Sequence, residues 1–105
     1  MMTATYDHVS IDKHAHIGFA DQCITRTLYF ADGSKKQLGL IQPCSLQFMA
    51  KETLRIELIS GICQITCGEQ RPAAYRSGQS FFIDAQIPIR IDCEEYVQFI
   101  CHFEG

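Results

Sequence analysis

The sequence predicts an all-β fold, two packed sheets or a barrel, and three observations carry that expectation. Apolar residues alternate with polar ones or cluster in short runs bounded by Gly, Pro, Asp and Ser. No segment holds a 3.6-residue period long enough for a substantial helix. Turn signals recur at close spacing along the chain, as short-stranded β architectures require. With 105 residues, 47% of them hydrophobic, there is material for one core, so 1–105 is expected to be a single domain.

The elements follow in order. Residues 1–14 are polar and are expected to form an N-terminal arm or an added edge strand. CITRTLYF and KKQLGLI flank Ala31-Asp-Gly-Ser34, and Asp32 with Gly33 tolerate the positive φ of a tight hairpin. After Pro43 comes SLQFMA, then LRIELI and ICQIT, which are expected to pair as a hairpin reversing at Ser60 and Gly61. GEQRPAAYRSG reads as a loop and SFFI as a short apolar strand, while Pro88 marks a bulge or an edge within IPIRIDC. YVQFICHF closes the chain after a turn at Glu94 and Glu95, and no repeat or linker interrupts it.

Charge and composition exclude several partners. Nine Lys and Arg stand against twelve Asp and Glu, a formal charge of -3, and no basic run exists to neutralise a row of phosphates. A nucleic-acid polymer is therefore not expected as a partner. No apolar run approaches the roughly 20 residues that cross a bilayer, so no membrane is expected either. The N-terminal MMTATYDHVSIDKHAH lacks the apolar stretch of a secretory signal, which points to a reducing cytoplasm. Cys23, Cys44, Cys63, Cys67, Cys93 and Cys101 then read as small reduced core residues. Cys63 and Cys67 share a strand face but stand roughly 13 Å apart, beyond disulfide reach.

Candidate chemistry is sparse. His14-Ala-His16 could place two imidazoles on one strand face toward a metal, but only Asp12 and Asp21 are near as further ligands, and a solvated face is the expectation. His102 can give or take a proton near neutral pH, or serve as a hydrogen-bonded core or interface histidine. Arg55 and Glu57 project opposite Leu54, Ile56 and Leu58 and could hold an anionic or hydroxyl-bearing ligand, or form an ion pair at the surface or between subunits. Arg90 and Asp92 repeat that pattern. No phosphate-cradling glycine loop, nucleophile elbow, zinc helix signature or dinucleotide fingerprint occurs, so function must come from a pocket assembled across strands.

LRIELISGICQIT followed by YRSGQSFFIDAQIPIRI resembles the two blocks of the cupins, and more closely the pyrimidine/purine nucleoside phosphorylases of bacteria. The likeness rests on D-G-x-K-K-x-L-G-x-I at 32–41, I-S-G at 59–61, G-Q-S-F at 78–81 and F-I-C-H-F at 99–103, and runs from about Asp7 onward. The resemblance implies a small cupin-type barrel that forms a homodimer and cleaves purine and pyrimidine nucleosides with inorganic phosphate as co-substrate and no cofactor. Where metal-binding cupins carry a Glu in the first block and a His in the second, this chain has Leu54 and Ile89, and a metal-free site is expected. It departs from the phosphorylase pattern at two places: Thr53, Leu54, Arg55 and Ile56 replace P-E-x-M, and Ile83, Asp84 and Ala85 replace V-P-G.

Phosphorolysis asks for an anion site, contacts to ribose hydroxyls and a donor to the leaving base. Residue types allot phosphate to Arg55 or Arg90 and the amides of the 77–80 turn, and ribose to Glu57. Phe48, Phe81 or Phe82 would stack on the base, with His102 or Gln86 hydrogen-bonding it, and the 83–86 corner at the pocket rim. No catalytic group is assigned. The alternative is a metal-free cupin pocket that binds a small metabolite without changing it.

Overall fold

The computed structural model describes residues 5–19 and 21–103, and among them there is no helix. Short strands β1 (Ser10–Ile11) and β2 (His16–Gly18) lead into β3 (Cys23–Tyr29). With β4 (Lys35–Ile41), β6 (Leu54–Ser60), β9 (Ser80–Ile83) and β11 (Val97–Phe103) they form a seven-stranded sheet ordered β1-β3-β4-β11-β6-β9, β2 also pairing with β3. The second sheet has four strands, β5 (Cys44–Met49), β7 (Ile62–Cys67), β8 (Ala73–Arg76) and β10 (Pro88–Cys93), ordered β5-β10-β7-β8. All pairings are antiparallel.

The β3–β4 hairpin forms where Asp32 and Gly33 predict it. Gly33 has φ 89° and donates its N–H to the Phe30 carbonyl at 3.0 Å. The Asp32 carboxylate accepts from the Ser34 amide and hydroxyl at 2.8 and 2.6 Å, bonds that hold its carboxyl below the usual range. Ser10 and Ile11 pair with Tyr29 and Leu28, so the segment before Ala15 contributes an edge strand.

Three local expectations need correction. LRIELI and ICQIT do not pair as a hairpin: β6 lies between β11 and β9, whereas β7 lies between β10 and β8 in the other sheet. The chain crosses between sheets at Gly61, whose φ is 91° and where a Cβ would stand 2.5 Å from the Tyr96 carbonyl oxygen. This crossing turns the apolar face of β6 toward that of β7, which a hairpin within one sheet would leave side by side. Second, the 68–78 loop contains strand β8. Third, Pro88 marks neither bulge nor edge; it is the first residue of the central strand β10, so its missing N–H falls at the strand's start, and its carbonyl accepts from the Gly68 N–H at 2.8 Å.

The core lies between the sheets. Leu58, Ile83 and Val97 are fully buried there, each contributing about 1.5–3 kcal/mol of hydrophobic stabilisation. All six cysteines are free thiols; Cys23, Cys63, Cys93 and Cys101 are buried, Cys44 and Cys67 half-buried. Burial pushes the thiols of Cys63 and Cys101 up to about 11 and that of Cys93 to about 12, so they stay protonated and unreactive at neutral pH.

Candidate functional site

Alternation along each strand divides the polar residues between two sides of the larger sheet. On β6, Leu54, Ile56 and Leu58 face the interior, and on β11 so do Val97, Phe99 and Cys101. Arg55, Glu57 and His102 therefore point outward. The inner faces do not fill the space between them: a cavity of about 290 Å³ remains. Phe48, Phe81 and Phe99 give it aromatic walls, and Phe19, whose ring meets Phe48 edge-on at 5.8 Å, stands where it reaches solvent.

Among the described residues only three lining side chains other than thiols can hydrogen-bond: His16, Thr25 and Gln37. They come from β2, β3 and β4, which are adjacent, and His16 is the direct cross-strand partner of Thr25. Thr25 is buried, Gln37 half-buried and His16 exposed at the opening. None has a side-chain hydrogen-bond partner among the described residues, and no polar side-chain atom there is both sealed off and unpaired. All three side chains border the cavity with their hydrogen-bonding capacity uncommitted to the described residues. Among the described residues no Lys, Arg, Asp or Glu lines it.

Gly39 shapes this chamber. The Phe99 ring lies against it so closely that a Cβ at Gly39 would stand 2.1 Å from the ring. An aromatic surface and the Gln37 amide thereby sit side by side on β4, two residues apart on one face.

The outward residues form a separate cluster. Lys36, His102 and Arg55 are cross-strand neighbours on β4, β11 and β6. Lys36 Nζ meets His102 Nδ1 at 2.7 Å, and His102 Nε2 meets Glu57 Oε1 at 3.0 Å. A charged ammonium can only donate, so Nδ1 accepts and the ring proton sits on Nε2, donated to Glu57. His102 is buried and links a cation to a carboxylate across three strands. Tyr6 lies near Glu57 and Arg55; burial first, then the Glu57 charge, raise its hydroxyl pKa. Phe82, 59% exposed, flanks Arg55.

The expected site residues are therefore divided. Phe48 and Phe81 line the cavity; Arg55, Glu57, His102 and Phe82 gather on the outer side of the same sheet. Arg90 sits in an open hollow outside the smaller sheet between Gln47 and Thr66, its guanidinium on Asp92 at 3.0 and 3.1 Å. That hollow is wider than the cavity but unenclosed, and it excludes little water. Gln86 is exposed in a turn at φ 65°, its amide bonded to the Ala50 carbonyl at 2.9 Å. The 77–80 turn offers little to an anion, since the Gly78 and Gln79 amides already bond the Leu58 and Arg76 carbonyls at 2.9 and 3.0 Å. His14 lies exposed ahead of β2, so it shares no strand face with His16. Sequence reasoning missed Thr25 and Gln37; His16 is exposed, as a solvated face implies, and it also borders the opening.

The residues do not fit a cupin metal. Leu54 lines the cavity and Ile89 is buried, and among the described residues no three His, Cys, Asp or Glu are placed to share an ion.

Comparison with known proteins agrees across the chain. A family model described as pyrimidine/purine nucleoside phosphorylase matches residues 13–103. Curated proteins of that name from Acinetobacter baylyi and Psychrobacter cryohalolentis are each 35% identical over the full length of both chains. The crystal structure of an Acinetobacter protein of unknown function superposes with a TM-score of 0.91 at 34% identity, covering 97% of this chain and 100% of that one. Similarity to the Drosophila melanogaster CENP-C cupin domain, TM-score 0.66 at 14% identity over 86% of this chain and 75% of that one, identifies the barrel as a cupin fold. A strand-only two-sheet barrel together with a match over nearly every described residue leads to one assignment: the chain belongs to the pyrimidine/purine nucleoside phosphorylase family.

Proposed function

We propose that the chain transfers the pentose of purine and pyrimidine nucleosides to inorganic phosphate, releasing free base and (deoxy)ribose 1-phosphate without a metal, in the cytoplasm and as a homodimer. The observation that carries this reading is the aromatic-walled cavity of about 290 Å³ inside a chain that belongs to this family over its length. A phosphate oxygen forms the new bond to the sugar C1′, the C–N bond breaks with its electron pair going to the base nitrogen, and that nitrogen takes up a proton. The sugar passes through an oxocarbenium-like state, so an enclosed site that keeps water from competing favours phosphate as acceptor. Flat apolar walls hold any base by its π-face, which suits a broad substrate range.

Among the described residues His16 is the one lining side chain that carries an imidazole, with one nitrogen to donate and one to accept a hydrogen bond. It stands at the opening, where phosphate would enter, and is assigned to hold phosphate or protonate the departing base. Arg55, Glu57, His102 and Arg90 lie outside the cavity, and their part in this reading is to hold the strands.

The test is incubation of purified protein with uridine, cytidine, adenosine, inosine and guanosine, with and without phosphate, assayed for base and pentose 1-phosphate. Base should appear only with phosphate, and at the same rate after chelator treatment. Equal release without phosphate would mean hydrolysis. Binding with no release would establish the second reading, a metabolite-binding cupin, which a lining without Lys or Arg among the described residues favours. In an active protein His16→Gln should lower kcat/KM by about 10²-fold or more, the usual worth of a placed proton donor.

A further inference from the structure

The cavity contains one side chain whose chemistry matches what purines and pyrimidines have in common. Every natural nucleobase carries, on adjacent atoms of one edge, a hydrogen-bond donor and an acceptor. In uracil, guanine and hypoxanthine the ring N–H donates and the exocyclic oxygen accepts. In cytosine and adenine the ring nitrogen accepts and the exocyclic amino group donates. A carboxamide has one acceptor and one donor group, and rotation of its last torsion by 180° exchanges their places. The same Gln can therefore pair with either class.

Gln37 meets the requirements for that role. Its amide has no partner among the described residues and lines a cavity otherwise walled by apolar groups and thiols, apart from Thr25 and His16. The amide is not sealed from solvent, so both its donor and its acceptor are available to a ligand that enters. It lies on β4 beside the Phe99 ring that Gly39 admits, so a base stacked on that ring turns its edge toward the amide. Thr25, by contrast, has a single hydroxyl on a short stem and cannot span two adjacent base atoms. His16 sits at the opening.

We infer that Gln37 is the base-reading residue of this site, and that reversal of its carboxamide is what admits both amino and keto bases. This rests on the reading of the cavity as the nucleoside site. It predicts selectivity against bases that lack the exocyclic group: 2-pyrimidinone riboside against uridine and cytidine, and purine riboside against adenosine and inosine.

The experiment measures kcat/KM for phosphorolysis and Kd by calorimetry for both sets, in the wild-type protein and in Gln37→Leu, with Gln37→Met as an unbranched alternative should the first fold poorly. The differing leaving-group abilities of the bases cancel when the ratio of uridine to 2-pyrimidinone riboside is compared between proteins. That ratio should fall about tenfold in either variant, the worth of one buried hydrogen bond, with the purine ratio falling in parallel. A folded, active variant with both ratios unchanged would overturn the assignment. If the wild-type protein shows no phosphorolysis but the Kd ratios collapse in the variants, the reaction is wrong and the base-reading role stands. Ratios that change for one base class only would exclude carboxamide reversal and overturn the inference as stated.

Discussion

At Gly39 one hydrogen atom decides the shape of the cavity. A Cβ there would meet the Phe99 ring at 2.1 Å, well inside contact distance. Gly39→Ala must push that ring into the cavity or bend β4, and overpacking of this kind costs about 1–3 kcal/mol; denaturant unfolding should show the loss, and crystallography a smaller chamber. Gln86 presents the opposite case, a non-glycine residue at φ 65° whose side chain is exposed and whose backbone N–H bond to the Ala50 carbonyl any residue but proline could make. Gln86→Gly should therefore stabilise the fold by about 1 kcal/mol through relief of left-handed strain, and a higher urea midpoint with an unchanged m-value is the measurement. The sequence allows such statements only in part. Alternation alone placed Arg55 and Glu57 opposite Leu54, Ile56 and Leu58, as the structure has them, but it did not say that the apolar side encloses the pocket. Gln37 was passed over because KKQLGLI reads as a hairpin arm. The available signal was that its face carries only Gly39 and Ile41 after it, whereas the other carries Lys36, Leu38 and Leu40.

Strands were legible one by one and their partners were not. Periodicity marked β6 and β7 correctly, but their nearness in sequence implied a hairpin, whereas the partners of β6 are β11 and β9, far along the chain. A glycine at positive φ permits a reversal within a sheet or a crossing between sheets, and only the packing of the two apolar faces selects between them. Packing of the same strands also governs behaviour in alkali. Cys63 on β7, Cys93 on β10 and Cys101 on β11 are raised from 9.0 to about 11, 12 and 11, burial being the first cause in each. In the unfolded chain these thiols ionise near pH 9, while in the folded chain they keep their protons. The folded state then holds more protons, and stability, complete below about pH 9, falls as pH rises toward the folded values. Between these limits each thiol contributes a slope of about 1.4 kcal/mol per pH unit. Guanidinium unfolding at pH 8, 9 and 10 should show a steepening loss, shallower in Cys93→Ala; a flat profile would mean that the thiols are open to water.

For the whole molecule, the question is what covers its outer surface. The larger sheet carries a cross-strand apolar row on its outward side: Ile17 on β2 pairs with Ile24 on β3, and Ile24 with Leu40 on β4. Leu38 stands two residues before Leu40 on the same side of β4, and Ile17 and Leu38 are 55% and 37% exposed. Scattered exposed aliphatic residues are ordinary, but a contiguous stripe over several strands is unusual on a monomer and marks a contact surface. The proposed homodimer would cover it isologously, stripe against stripe. Burying the row in a partner leaves the cavity untouched, since its residues alternate with the lining residues Cys23, Thr25 and Ile41. Light scattering should accordingly give twice the 11.9 kDa chain mass. Leu40→Glu should return the single-chain mass with an unchanged circular dichroism spectrum, because a carboxylate at a self-complementary contact meets its own copy or is stripped of water. Retention of the dimer in that variant would move the interface to another face. Loss of phosphorolysis on dissociation, in a chain that still binds nucleoside, would show that the second subunit completes the phosphate site, which the cation-free lining leaves open.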